Sequence, residues 1–224
     1  MIFVNTILSQ QFAPAALPTA VRAALGKPLR RAAGLTQLAL VGALACLPKA
    51  RRQLPSALLW QSTSGPRLET LTLLNEVCCG PAEPMPYDFL ATQPAIAAAQ
   101  IQPFFPGLQS ASYFPLDTEG QANWLLLLTL AANWIEAGRY AQVLCAHLDS
   151  RAESASGHWL VLAAAPLENT TANLHIRTMN YPDARPDTPD FPLHLADWLA
   201  TAARPVLHLQ SSAAPLLAVE FARI

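Results

Sequence analysis

Ala57-Leu58-Leu59-Trp60-Gln61-Ser62-Thr63-Ser64-Gly65-Pro66 joins a short apolar run to a turn of hydroxyl residues, glycine and proline. An apolar run of this length, bounded by such turn signals, is the pattern of a strand buried on both faces. Beyond it Leu68, Leu71, Leu74, Val77 and Cys78 recur every three or four residues, with Pro66 near the first turn and Gly80 after the last. That spacing predicts a helix whose proline and glycine sit at the ends that favour them. The local order is strand, loop, helix.

The same order extends in both directions. Upstream, Leu35, Leu38, Ala39, Ala43 and Cys46 have helical spacing and Pro48 ends the run, while Met1–Leu8 suits a first strand. Downstream, seven prolines break the segment Pro81–Pro115, and only Ala95–Ile101 leaves room for two helical turns, so this segment is expected to pack over other elements or against a partner. Thr118–Ala137 is the longest helical candidate, ends at Gly138 and is apolar on most faces, which predicts burial. Ala141–His147 then reads as a second buried strand. From Gly157 the pattern changes. His158–Ala164 and Leu174–Thr178 flank a polar loop and predict a hairpin in which His158 and His175 could face each other. A Pro/Asp-rich linker, Tyr181–Pro189, leads to a helix over Pro192–Ala202 and strands near Val206–Gln210 and Leu216–Phe221. Alternating strands and helices predict an α/β layered fold, taken as one domain over residues 1–224.

Composition excludes several classes. Of 224 residues 52% are hydrophobic and 13% charged, so the chain has far too much apolar content for disorder. The mean hydropathy of +0.25 raises the question of a membrane, but Leu35–Leu47 and Trp124–Ile135 fall short of the roughly 18–20 apolar residues a spanning helix needs. The first residues lack the basic start of a secretory signal. Cys46, Cys78, Cys79 and Cys145 sit in apolar segments without metal-site spacing and are expected to be buried thiols in a reducing cytoplasm. The net charge of −1 conceals an asymmetry, because Arg22, Lys27, Arg30, Arg31, Lys49, Arg51 and Arg52 all precede the first acidic residue, Glu69. With a pI near 6.5 and no interleaved aromatics, this cationic stretch suits an acidic protein partner through Arg30, Arg31, Arg51 and Arg52 better than nucleic acid; solvated arginines beside a helix are the plainer alternative.

No phosphate-binding loop, dinucleotide fingerprint or Gly-x-Ser-x-Gly motif is present, and no cofactor or metal is implied. Gln61–Gly65 ends a strand before a helix, where α/β proteins commonly place ligands. The same hydroxyls would equally serve as caps for that helix. Ser62, His147 and Asp149 are the residue types of a nucleophilic triad, although their spacing does not fix its geometry.

Leu29-Arg30-Arg31, then Leu38-Ala39-Leu40, then the strand entering Gln61–Gly65 with Glu69-Thr70 and Leu73-Leu74 on the next helix, resemble in kind and order the N-terminal half of a β-ketoacyl synthase. More narrowly, they resemble the short ketosynthase-like proteins of aryl-polyene and related type II polyketide or fatty-acid pathways, with Met85–Ala95 in the segment before the buried nucleophile helix. The resemblance covers about Pro28–Asp149. It implies a thiolase-like half-fold, a layered sheet with a buried helix, followed here by a hairpin, helix and strand extension. Ketosynthases carry a cysteine at the N-terminal tip of that helix, where the dipole lowers its pKa. Matching Gly138 and the strand Val143–Ala146 to the family and counting back puts Gln121 in that place, similar to the glutamine of chain-length-factor subunits. No cysteine lies between Cys79 and Cys145. The family's two condensing histidines belong to a C-terminal half that the chain is too short to build.

The resemblance therefore implies a non-catalytic accessory or assembly subunit, oligomeric with itself or with a ketosynthase, that meets an acyl carrier protein. Two alternatives stay open. One is an acyltransferase or thioesterase using Ser62 or Ser64 with His147, and the other is a scaffold without carrier contact.

Overall fold

The computed structural model describes all residues except Arg30, Arg31, Ala82, Glu119, Asn169, Ala202 and Ala203. Strand β2 (Ser56–Ser62) is buried at every position. It lies between two parallel neighbours, β3 (Leu108–Pro115) and β4 (Gln142–Ser150). Successive side chains of a strand point to opposite faces, and both faces of β2 are covered. Ala57 and Leu59 join Val143 and Cys145 beneath helix α6 (Trp124–Glu136), while Leu58 and Trp60 join Leu144 and Ala146 beneath α2 (Gly34–Cys46). Two apolar cores on one sheet explain why these strands read as continuous apolar runs rather than alternating ones.

Antiparallel strands extend the sheet beyond β4. β5 (Ala155–Ala163) returns alongside β4, and β1 (Ile2–Phe12) lies on its other side. β6 (Ala172–Arg177), β9 (Ala218–Arg223), β8 (Val206–Gln210) and the two-residue β7 (Arg185–Pro186) complete one nine-stranded sheet in the order β3-β2-β4-β5-β1-β6-β9-β8-β7. Helices α1 (Leu17–Leu25), α2 and α5 (Ala95–Ile101) cover one face; α6 and α7 (Phe191–Thr201) cover the other. α2 packs closest, because Gly42 lies against the Trp159 indole, where a Cβ would meet ring atoms at 2.2 Å. Helices α3 (Arg67–Cys79) and α4 (Pro86–Ala91) stand apart, with no buried residue in either.

Several expectations change. The hairpin joining 158–164 to 174–178 does not form, because β1 inserts between β5 and β6 and pairs with both. His158 therefore meets Ser9 of β1, whose Oγ lies 2.9 Å from its Nδ1, with His147 of β4 on its other side, and His175 sits opposite Glu220 of β9. The long helix begins at Trp124 rather than Thr118 and is not buried all round, since Leu126 is 44% exposed. Its neighbour across the sheet, α2, is the enclosed helix. Cys46 and Cys145 are buried thiols, raised in pKa by that burial, but Cys78 and Cys79 are exposed at the end of α3. The apolar period of α3 does mark a helix, with Leu71, Leu74 and Val77 facing solvent instead of core.

Among the described residues, no helix is long and apolar enough to cross a membrane.

Candidate functional site

Parallel strands β2 and β4 both end at the same edge of the sheet, so the turn after β2 meets the last residues of β4. The meeting point is Asp149. Its Oδ1 accepts the Ser62 hydroxyl at 2.9 Å and the backbone N–H groups of Thr63 and Ser64 at 2.9 and 2.8 Å. Its Oδ2 accepts the Thr63 hydroxyl at 2.7 Å and meets His147 Nε2 at 3.2 Å. Burial pushes this carboxyl up, but the bonds from His147, the Ser64 backbone and Thr63, with the His147 charge, outweigh it and hold it far below the usual carboxylate range. Asp149 is a fixed anion. Ser64 Oγ accepts the Ser150 N–H at 2.9 Å and Ser62 Oγ accepts the Gly65 N–H at 2.8 Å, which ties the turn to β4 and to itself. These hydroxyls fasten the turn; they do not cap α3.

Ser62, His147 and Asp149 thus come together, in an order unlike a nucleophilic triad. There the imidazole stands between serine and carboxylate and takes the serine proton. Here the carboxylate stands between, receiving both the Ser62 hydroxyl and the imidazole. A carboxylate held so firmly in its ionised form is a weak base, and Ser62 is only 1% exposed. The geometry orders a loop and gives Ser62 no activating partner.

A second polar group lies at the N-terminus of α6, where backbone N–H groups lack intrahelical partners. Gln61, at the end of β2, accepts the Asn123 N–H on its Oε1 at 2.7 Å. Asp187 accepts the Trp124 N–H on Oδ1 and the Leu125 N–H on Oδ2, each at 3.0 Å. The Trp124 indole donates to Pro189 O at 3.3 Å, holding the same segment. Gln121 lies just outside this tip, exposed, with its N–H on Thr118 O at 3.3 Å. Gly120 before it takes φ +77°, a conformation that favours glycine.

Burial pushes the Asp187 carboxyl up to about 6, against the Leu125 and Trp124 N–H bonds and the His147 charge that pull it down. An unfolded aspartate titrates near 3.8, so between the two values the folded chain holds a proton that the unfolded chain has lost. Stability from this group is present at low pH and is lost as pH rises through about 6. Asp187→Asn should therefore flatten the pH dependence of urea unfolding between about pH 4 and 6.5 relative to the wild type. His158, lowered by burial and by His147, titrates with the opposite sign in both proteins and cancels in the difference. An unchanged profile would show that Asp187 does not titrate there.

The cationic stretch is partly consumed by the fold. Arg52 donates to Leu44 O at 2.8 Å and Leu47 O at 3.2 Å, satisfying carbonyls at the C-terminal end of α2 where a cation is favoured. Arg51 donates to Pro166 O at 3.1 Å from an exposed position. Arg30 and Arg31 lie outside the described residues. Among the described residues, no group of three or more His, Cys, Asp or Glu is placed to hold a metal ion.

The sequence pointed to Ser62, His147 and the turn, but not to Asp187 or to the Gln61 amide. Asp187 sits in a Pro/Asp-rich linker, 63 residues from the helix it caps, and no local pattern marks such a contact.

Neither a family model nor a curated protein matches the chain. Solved structures do. A chain of the ishigamide ketosynthase/chain length factor is similar over 99% of this chain and 98% of that one, with a TM-score of 0.66 at 12% identity. A type II polyketide acyl carrier protein in complex with its hexaketide-bound ketosynthase supplies a match over 100% and 99%, with a TM-score of 0.60 at 9% identity. A ketosynthase in complex with its chain length factor from Xenorhabdus doucetiae supplies another over 98% and 99%, with a TM-score of 0.57 at 14% identity. The fold is that of the ketosynthases. The likeness extends over nearly the whole chain, beyond the segment Pro28–Asp149 that carries the sequence resemblance. Within this ketosynthase fold, α6 has Gln121 before its tip and Asp187 on it.

Proposed function

We propose that the chain is a non-catalytic, ketosynthase-like subunit that assembles with a ketosynthase in acyl-carrier-protein-dependent polyketide synthesis of aryl-polyene type, or in fatty-acid synthesis. The observation that carries this reading is the tip of α6. A ketosynthase-type acyl transfer needs a thiol there, whereas the Asp187 carboxylate lies on this tip and Gln121, which the resemblance matches to the thiol position, lies just before it. An amide cannot form a thioester, and the Asp187 carboxylate occupies the Trp124 and Leu125 N–H groups that a developing oxyanion would use. Cys145 lies underneath the helix, its Sγ on Leu127 O at 3.8 Å, buried and held protonated. Among the similar structures are a ketosynthase with its chain length factor and a ketosynthase with its acyl carrier protein, which supports partners of these kinds.

Incubation with an acylated carrier protein, followed by intact-mass spectrometry, tests the reading. The expected result is no acyl adduct on this chain and no hydrolysis above the carrier protein alone, together with co-purification of a ketosynthase when the two are co-expressed. Turnover that disappears in Ser62→Ala would overturn it in favour of a hydrolase or acyltransferase.

A further inference from the structure

Three successive N–H groups, those of Asn123, Trp124 and Leu125, converge at the start of the 13-residue helix α6, and each is met by an oxygen from elsewhere in the chain. Two of the three go to one carboxylate, bound through both oxygens. Beneath the tip stand two polar groups with a buried nitrogen that has no hydrogen-bond partner among the described residues, Gln61 Nε2 and His147 Nδ1. They belong to residues paired across β2 and β4, exposed 0% and 1%. The Gln61 amide reaches the tip itself, because its other atom holds the Asn123 N–H. Oriented N–H groups, the positive end of a helix dipole and a spare buried donor make a place suited to a small anion. The strap that brings Asp187 there is anchored independently of the carboxylate, through Pro189 O on the Trp124 indole and through the Phe191 N–H on Thr188 O at 3.0 Å.

The geometry points to the N-terminus of α6 as a carboxylate seat that the chain closes with its own Asp187. External carboxylates and acyl oxygens are excluded because the Trp124 and Leu125 N–H groups they would use are already satisfied. The inference stands apart from the assembly role, since it concerns what the tip binds and not which protein the chain meets.

Chemical rescue tests it. Asp187→Ala removes the carboxylate and leaves the Trp124 and Leu125 N–H groups without their acceptor, while formate restores the missing atoms. At pH 7, formate should raise the melting midpoint of Asp187→Ala saturably, by about 3–6 °C, above the effect of chloride at equal ionic strength. Wild type, and Asp187→Asn, whose amide accepts only one of the two N–H groups but still occupies the space, should respond to formate as to chloride. A response of Asp187→Ala no larger than chloride's, or equal rescue of all three proteins, would overturn the proposal. If Asp187→Ala does not fold alone, refolding with formate decides: recovery of soluble protein with formate but not chloride supports the seat, and no recovery with either overturns it.

Discussion

Asp149→Ala is expected to lower the unfolding free energy by about 3–5 kcal/mol, the range for removing one partner of a buried charged network. Five groups converge on this carboxylate, and two of them are backbone N–H groups of the turn after β2. Truncation leaves these donors without an acceptor in a place that water reaches poorly, at about 1–3 kcal/mol for each such group, not additively. The carboxylate also joins the ends of β2 and β4, so its loss unfastens the turn from the centre of the sheet. Asp149→Asn should fall between, because one amide oxygen can accept but the NH2 faces donors. Urea unfolding by circular dichroism measures the loss; a change below about 1 kcal/mol would mean that the turn holds without this network.

The second large effect concerns association. Leu71, Leu74 and Val77 of α3 and Phe89 and Leu90 of α4 are all exposed, with Leu74 at 52% and Phe89 at 59%. Apolar side chains exposed on neighbouring helices are what a partner interface would use. Under the proposed assembly role, the ketosynthase partner covers it. Leu74→Glu combined with Phe89→Glu should weaken the complex by 100-fold or more, because each charge would have to be desolvated in the interface. The fold should be unaffected, since exposed substitutions of this kind change stability by about 0.5 kcal/mol or less. Titration calorimetry against the purified partner, with thermal melts of the free variant, separates the two effects. Unchanged affinity would remove this face from the interface.

Much of the architecture was legible because local periodicity carries it. The apolar run around Leu58 and Leu59 and the spacing of Leu35–Cys46 and Ala95–Ile101 each gave an element that the structure contains, with ends shifted by a residue or so. What failed was long-range. Nothing local in Ile2–Phe12 says that it will part β5 from β6, so the hairpin inferred from a polar loop was displaced and His158 found Ser9 of β1 instead of His175. Periodicity likewise reports that α3 is helical without saying which way its leucines face. At the site, residue types in the turn drew attention to Ser62, His147 and Asp149, and the fold did bring them together. Their roles depended on hydrogen-bond order, which spacing cannot encode. Asp187 left no local trace at all.

The two ends of the sheet are unlike. At one end lies β3, eight residues long, paired only with β2; at the other lies β7, two residues long and carrying Pro186, which has no N–H to offer. A sheet that polymerises needs two open rims, one to accept the next molecule and one to be accepted. Here the two rims differ in length, because β3 offers eight residues, whereas β7 offers two and covers only Leu209 and Gln210 of β8. Under the proposed assembly role, pairing of β3 with the matching strand of one partner would occupy that rim on both chains and stop at two.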